Sequence, residues 1–377
     1  MSAISSYSPN IVVVGGGIVG ASIAWHLAAR DANVTIVAED FGGTATPNSF
    51  AWINAAYGNP KFYYDLRYRS MARWRALGDE LLPGLPLHWG GSLSWDMSPE
   101  ELEEYQKQHS SWGYDITRVE QSEIREREPA FVDDALPKWG WGLYAGEEGA
   151  VEAADAAHYF IADAEARGAR VLSAEVTGFV KKGNRINGVA TASGEEVHAH
   201  HVVLAAGIGS VPLLATEGIT LPVTSKAGLL IHTKPTGPLL NGVTYADELH
   251  LRQKLDGRIL AGTDFVGGDP GPDLQKTAEE LFAKLKLALK GTEDLELDYF
   301  TVGHRPTPQD GYPILGATGL EGLTLAVMHS GVTLAPVVGD VISELVLTGR
   351  SDPMLADFSL DRFNTMSTTK RSHGLGE

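Results

Sequence analysis

Residues Ile11 to Asp40 read IVVVGGGIVGASIAWHLAARDANVTIVAED, and this stretch limits the fold more than any other. Ile11 to Val14 are four branched apolar residues, the pattern of a strand buried on both faces. Gly15, Gly17 and Gly20 follow in G-x-G-x-x-G spacing. Ile23, Ala24, Leu27 and Ala28 then share one face of a helix. A turn at Asp31–Asn33 leads to a second strand over Val34–Val37. The unit is βαβ, with its glycines at the first strand-to-helix turn. One glycine permits the tight turn, one lets the backbone approach a pyrophosphate, and one lets helix and strand pack closely. The helix N-terminus presents N–H groups and a positive dipole end to the phosphates. With 43 Gly in 377 residues, roughly half a chance match to the bare pattern is expected, so the strand and helix around it carry the reading. The acid that binds a ribose usually ends the second strand. That place is Ala38, with Glu39 and Asp40 after it, and the sequence does not choose between the two carboxylates.

A chain of 377 residues is long enough for two domains. Its formal net charge of −18 argues against nucleic acid or an anionic membrane surface as the main partner. The absence of cysteine excludes disulfides, thiolate metal sites, a cysteine nucleophile and a cysteinyl cofactor link. Met1–Asn10 lacks a basic start followed by an apolar core, so it does not read as a signal peptide. The apolar runs read as too short for a membrane span, and a cytoplasmic protein is expected. No His cluster suggests a metal site.

Further along, Phe41–Tyr57 (FGGTATPNSFAWINAAY) reads as a loop entering a short helix near Asn48 or Ser49. Lys61–Leu82 carries a helical period. Leu87–Trp95 alternates like a strand, with Gly90 and Gly91 marking a bulge. Pro99–Glu128 reads as charged and helical, Trp139–Tyr144 as a strand, and Val151–Gly168 as a helix. Strands are expected at Val171–Val180, Arg185–Thr191, His201–Gly207, Pro222–His232, Glu248–Thr263 (with a turn at Asp256–Gly257) and Leu323–Val327. Ala278–Leu289 is a periodic helix, Thr301–Gly316 is turn-rich, and a helix follows Gly331 with Gly349 just past its end.

The opening βαβ unit, the GTATPNSFAWINA loop, the HVVLAAG strand, the HRPTPQDGYPILG segment and the MHSGVTLAPVVGDVI ending resemble, in this order, the D-amino-acid oxidase superfamily. Within it, the chain resembles the glycine oxidase and sarcosine oxidase branches. The resemblance implies an α/β architecture: a Rossmann-like doubly wound FAD-binding domain (1–86, 145–215 and 300–363) with an antiparallel-sheet α+β substrate domain (87–144 and 216–299). Residues 364–377 are expected to be a disordered tail.

The same resemblance implies FAD contacts at Ile18 and Val19 on the pyrophosphate turn, and at Ala38 and Glu39 near the ribose. It implies Ala45, Thr46, Phe50, Ala51 and Trp52 along the isoalloxazine, Val176 at adenine, and Ala206 and Gly207 at a cofactor-facing strand end. Gly331, Val332, Thr333 and Leu334 match a turn under the flavin pyrimidine, before a helix beginning near Pro336. Arg305 falls where glycine oxidase binds the substrate carboxylate, and His329 where that enzyme has a second arginine. Arg252 and His250 share one strand face and are candidates for the pocket lining.

The implied reaction oxidises an amine beside a carboxylate in glycine, sarcosine, another N-substituted glycine or a D-amino acid. Hydride passes to flavin N5, the imine hydrolyses, and oxygen reoxidises the flavin to give hydrogen peroxide. The flavin carries the chemistry, so no protein acid or base is assigned. FAD is expected to be non-covalently bound, and a homo-oligomer is compatible with the sequence. Two alternatives remain: a dehydrogenase of the same fold passing electrons to a quinone or partner protein, and a non-catalytic FAD-binding subunit of a complex.

Overall fold

The structure is a computed structural model that describes residues 8–56, 58–246, 249–263 and 269–364. The expectations for the extreme N-terminus and for the tail past Asn364 lie outside the described residues. Packing divides the chain into two compact units. One comprises Met1–Thr46, Ala154–Ser225 and Pro306–Glu377, and the other comprises Pro47–Ala153 and Lys226–Arg305. These limits differ from those drawn on the sequence chiefly at 47–86 and 145–153, which pack with the second unit. The cause is a small antiparallel sheet in which Gly149–Val151 pairs with both Trp52–Ile53 and Leu87–His88.

The first unit is built on a six-stranded sheet in the order Ile314–Ala317, Leu323–Val327, His201–Leu204, Asn10–Gly16, Asn33–Phe41, Arg170–Ser173. All neighbours are parallel except the edge pair Ile314–Ala317 with Leu323–Val327. This is the doubly wound arrangement read from Ile11–Asp40. Ile11–Val14 are buried because strands flank them and side chains cover both faces. The helix Ile18–Ala28 packs against the helix Gly331–Thr348. A Cβ on Gly339 would strike His26 and Ser22, so glycine sets the approach of the two helices. There the Ser22 hydroxyl donates to the Ala335 carbonyl at 2.8 Å. Among the described residues, Gly331–Thr348 is the one helix long and apolar enough to cross a membrane, and 61% of it is buried within the fold. The sequence reading of short apolar runs missed it; its apolar character matches its place in the core.

Three local expectations change. The strand expected over Val171–Val180 is two strands, Arg170–Ser173 in the parallel sheet and Val176–Lys182 in a separate three-stranded sheet. The helix expected near Pro336 begins at Gly331, because proline is accommodated inside its first turns. Thr301–Gly316 is mostly strand: Leu297–Pro308 is an edge strand and Ile314–Ala317 follows. An edge position tolerates Pro306 and Pro308, since a missing N–H there breaks no interior ladder.

The second unit carries an eight-stranded sheet in the order Leu297–Pro308, Val223–Thr233, Ile259–Gly262, Leu249–Gln253, Val243–Ala246, Ser92–Ser94, Trp141–Ala145, Ile116–Glu120. Leu93, Trp95, Phe131, Ile231, Leu251 and Leu285 belong to its core. Two sequence expectations fail here. Within Pro99–Glu128 the helices Pro99–Ser111 and Gln121–Arg127 are separated by the strand Ile116–Glu120. That strand gains its ladder from Trp141–Ala145, a partner its own sequence does not reveal. The helix expected near Asn48 does not form; Ala51 adopts φ 61° and Trp52–Ile53 pairs as a strand.

Glu128 is 2% exposed, and its carboxylate accepts from the backbone N–H of Asn241 at 3.0 Å and of Gly242 at 2.7 Å. Burial raises its pKa to about 7, against the opposing pull of those N–H groups. A carboxyl whose folded pKa is raised keeps its proton where the unfolded chain has lost its own. Its contribution to stability is therefore greatest at acid pH and declines as pH rises from about 4.5 to about 7. The shift corresponds to about 3 kcal/mol at most. Glu128→Gln is expected to flatten this decline in denaturant melts between pH 5 and pH 7. Equal slopes for the variant and the parent protein would show that Glu128 does not titrate there.

Candidate active site

In the first unit the glycine turn is built by close approach. Gly15 has φ 117°, and a Cβ there would collide with the Ala205 carbonyl; a Cβ on Gly20 would collide with the Gly15 carbonyl. Gly17 caps the helix with its backbone, without a side-chain cap and without an acid in the first turn. The Ile18 N–H donates to Thr46 Oγ1 at 3.1 Å, tying the 42–46 loop to the turn. A Cβ on Gly17 would lie 3.2 Å from the same hydroxyl. Gly331 faces Val19, since a Cβ added there would meet Val19 Cγ2 at 3.1 Å. Gly15 also abuts Ala206, whose Cα would lie 3.0 Å from an added Cβ.

The turn (Gly15, Gly17, Ile18, Val19, Gly20), Thr46, Ala206 and Gly331 are thus brought together. Gly15, Gly17, Val19, Ala45, Ala206, Gly207 and Gly331 are partly exposed, whereas Val332, Thr333 and Leu334 are buried in the helix. Ala38 is buried near the end of its strand, with Glu39 and Asp40 exposed after it. Val176 starts a strand of the three-stranded sheet and packs on the same core as Val14 and Val37. His329 is half-buried, with Nδ1 3.0 Å from Ser330 Oγ, and Ser330 turns into the helix at φ 58°.

The second unit gathers Phe50, Ala51, Trp52, His250, Arg252 and Arg305. Arg252 is 4% exposed. Its guanidinium donates to the Phe50 carbonyl at 2.7 Å and to Glu152 Oε1 at 2.8 Å, and reaches the Val151 carbonyl at 3.5 Å. Burial raises the Glu152 pKa, but Arg252 and Lys254 outweigh it and hold the carboxylate below its ordinary value. Arg252 therefore clamps the Phe50–Trp52 segment to the strand Gly149–Val151. His250, on the same face of its strand, is 2% exposed. Its ring meets Phe50 edge-on at 4.9 Å and stacks on Tyr245 at 5.4 Å; Tyr245 in turn lies 5.0 Å from Trp52. Burial, and then the nearby Arg305 charge, keep His250 well below its usual pKa, so it is neutral at pH 7.

Arg305 is half-buried near the end of the unit's edge strand. Its guanidinium lies over Gly228, where an added Cβ would be 2.5 Å from Nη2. His304, beside it, is exposed. Gly228 and Glu152 were not singled out on the sequence. No spacing rule marks an acid as buried, and Gly228 matters only through a side chain 77 residues away.

A family model described as FAD dependent oxidoreductase (DAO) matches residues 10–345. The chain belongs to this family and is an FAD-dependent oxidoreductase of the amino acid and amine oxidase type. It is 27% identical over 376 residues to glycine oxidase of Bacillus subtilis (strain 168), covering 93% of this chain and 96% of that protein. It is 26% identical to the bifunctional protein ThiO/ThiG of Trichormus variabilis over 96% of this chain, but spans only 56% of that protein's length. Among solved structures, glycine oxidase from Geobacillus kaustophilus superposes with a TM-score of 0.83 at 25% identity, covering 94% of this chain and 99% of that one. These findings establish FAD-dependent amine oxidation as the general activity.

The residues present fit the cofactor. Gly15 and Gly20 leave no room for side chains, and the helix that follows opens on a glycine with no acid to oppose a phosphate. Gly17→Val is expected to purify with little or no FAD, measured as the ratio of flavin to protein absorbance. Its branched side chain would press on Thr46 and fill the space over the helix N-terminus. Full flavin content in the variant would remove this turn from the cofactor site.

Proposed function

We propose that the protein oxidises an amine that carries a neighbouring carboxylate: glycine, sarcosine, another N-substituted glycine or a D-amino acid. Oxygen is the electron acceptor and hydrogen peroxide the product. The observation that carries this reading is Arg305, a half-buried guanidinium above Gly228 and beside a neutral, buried histidine. A planar guanidinium pairs with a carboxylate through two parallel hydrogen bonds, which fixes orientation as well as position. Arg252 does not compete for that role, being committed to Glu152 and the Phe50 carbonyl. His250 adds no second charge; together with Phe50, Tyr245 and Trp52 it forms an apolar wall that excludes water and strengthens the ion pair. When bound, FAD supplies the two-electron oxidation of the C–N bond. Non-covalent attachment is part of the proposal, and acid precipitation should release the flavin into the supernatant.

Anaerobic mixing with a panel of amines, followed by admission of air, tests the reading at the flavin absorbance. Bleaching by amino acids and rapid recovery in air support it. Slow recovery favours a dehydrogenase, and no bleaching by any amine favours a non-catalytic subunit.

Arg305→Leu is expected to raise KM for amino acid substrates by roughly ten- to a hundredfold, with part of the loss in kcat, because a charge-assisted pair in a dry pocket is lost. FAD content should not change. Gly228→Ala is expected to raise KM in the same direction but less, because its methyl displaces the Arg305 tip without removing the charge. Parent-like kinetics in both variants would move the carboxylate away from Arg305. At low pH the rate should fall with an apparent pKa that follows the substrate amine, since only an unprotonated amine has a lone pair to assist oxidation. An acid limb that stays fixed across substrates would assign it to a protein group.

A further inference from the structure

The strand Asn33–Phe41 ends beside the glycine turn of the first unit. The chain leaves it through two glycines in the left-handed region, Gly42 at φ 100° and Gly43 at φ 72°. Three contacts press this loop onto the turn. The Gly42 N–H donates to the Gly16 carbonyl at 2.9 Å. A Cβ on Gly43 would lie 2.7 Å from Gly17 Cα, so backbone runs against backbone there. A little further on, Thr46 Oγ1 accepts from the Ile18 N–H. The loop therefore lies against the N-terminal end of the helix Ile18–Ala28.

A fourth contact comes from elsewhere in the same unit. His158, on the helix Ala153–Ala166, donates from Nε2 to the Phe41 carbonyl at 2.7 Å, across 117 positions of sequence. A carbonyl only accepts, so the proton of this bond sits on Nε2. The ring also covers Gly42, where an added Cβ would lie 3.1 Å from both Cε1 and Nε2. His158 is exposed on its helix, so the ring adds little to the core.

We propose that His158 is a positioning residue for the cofactor, a latch that holds the Phe41–Thr46 loop against the glycine turn and so fixes the wall beside the ADP half of FAD. This rests on the glycine turn as the cofactor site. The latch acts where strand becomes loop. Phe41 pairs with Gly16 of the turn, and Glu39 and Asp40, the two candidate ribose acids, immediately precede it. The two glycines that follow carry no side chain to restrict them, so a loose loop has many conformations to lose on binding. A donor that fixes the Phe41 carbonyl reduces that loss before the cofactor arrives. His158 adds no group to the ligand itself. Its effect falls on how tightly the ADP half is held, and not on the chemistry of the flavin.

The test follows FAD release from diluted holoprotein through the rise in flavin fluorescence, and the competition of ADP with FAD for rebinding. His158→Ala removes the donor from an exposed helix position, where alanine is the best helix former, so the fold is retained. Its Kd for FAD is expected to rise roughly three- to tenfold, the range for one hydrogen bond of ordinary net strength. The inhibition constant of ADP should rise by the same factor. His158→Gln offers an amide N–H in place of Nε2–H and should return both constants to within about twofold of the parent protein. A ring needed only for packing would not be replaced by glutamine in this way. Parent-like constants in His158→Ala, failure of His158→Gln to restore them, or a change for FAD without one for ADP each overturn the proposal. Gly17→Val tests the underlying site separately. If that variant loses FAD while His158→Ala binds like the parent protein, the turn stands and only the latch falls; if it keeps FAD, the cofactor site itself has been misplaced.

Discussion

The first unit depends on how closely backbone can approach backbone at one turn. Gly20 lies against the Gly15 carbonyl, and Gly15 lies against the Ala205 carbonyl. These contacts seat the start of the helix on the ends of two central parallel strands. An alanine at either position would force the helix away from the sheet. The same lack of side chains leaves N–H groups and a dipole end for a pyrophosphate. The fold and the candidate cofactor turn therefore rest on one constraint here.

The second unit solves a different problem, which is to hold a short irregular segment rigid. Phe50–Trp52 has neither the length of a helix nor a long strand ladder, and Ala51 sits at φ 61°. Non-glycine residues with positive φ persist where their surroundings over-determine them, and such residues cluster at functional sites. Ser330, at the start of the helix implied to face the flavin, is another. At Ala51 the surroundings are explicit: the Arg252 clamp on the Phe50 carbonyl and the pairing of Trp52 with Ala150. A buried ion pair such as Arg252–Glu152 contributes little net stability against its desolvation. Its worth lies in fixing one geometry.

The electrostatics around His250 and Arg252 follow from burial. His250 is neutral because it is enclosed and close to Arg305. Burial pushes the Glu148 carboxyl up to about 7, against the hydrogen bonds it accepts from Ser92 and Tyr114. A chain with formal net charge −18 thus still places a guanidinium close to a buried, neutral histidine.

The sequence by itself determined the βαβ unit, the parallel sheet it seeds and the glycine turn, because these rest on contacts within about thirty residues and on residue types with one physical meaning. It marked Arg305 and the 41–57 stretch through resemblance, but not their surroundings. Only the tertiary structure decided that Ile116–Glu120 is a strand, that Arg170–Lys182 divides between two sheets, and that 301–316 is mostly strand. In each case the deciding partner is a ladder contributed by another part of the chain. The same reason separates Arg252 from Arg305. Both are arginines at strand positions, and nothing local distinguishes them. Glu152, 100 residues from Arg252, makes one a clamp, and Gly228 makes room for the other. Pairings between distant residues depend on where the folded backbone brings them, and that information is absent from any single stretch of sequence.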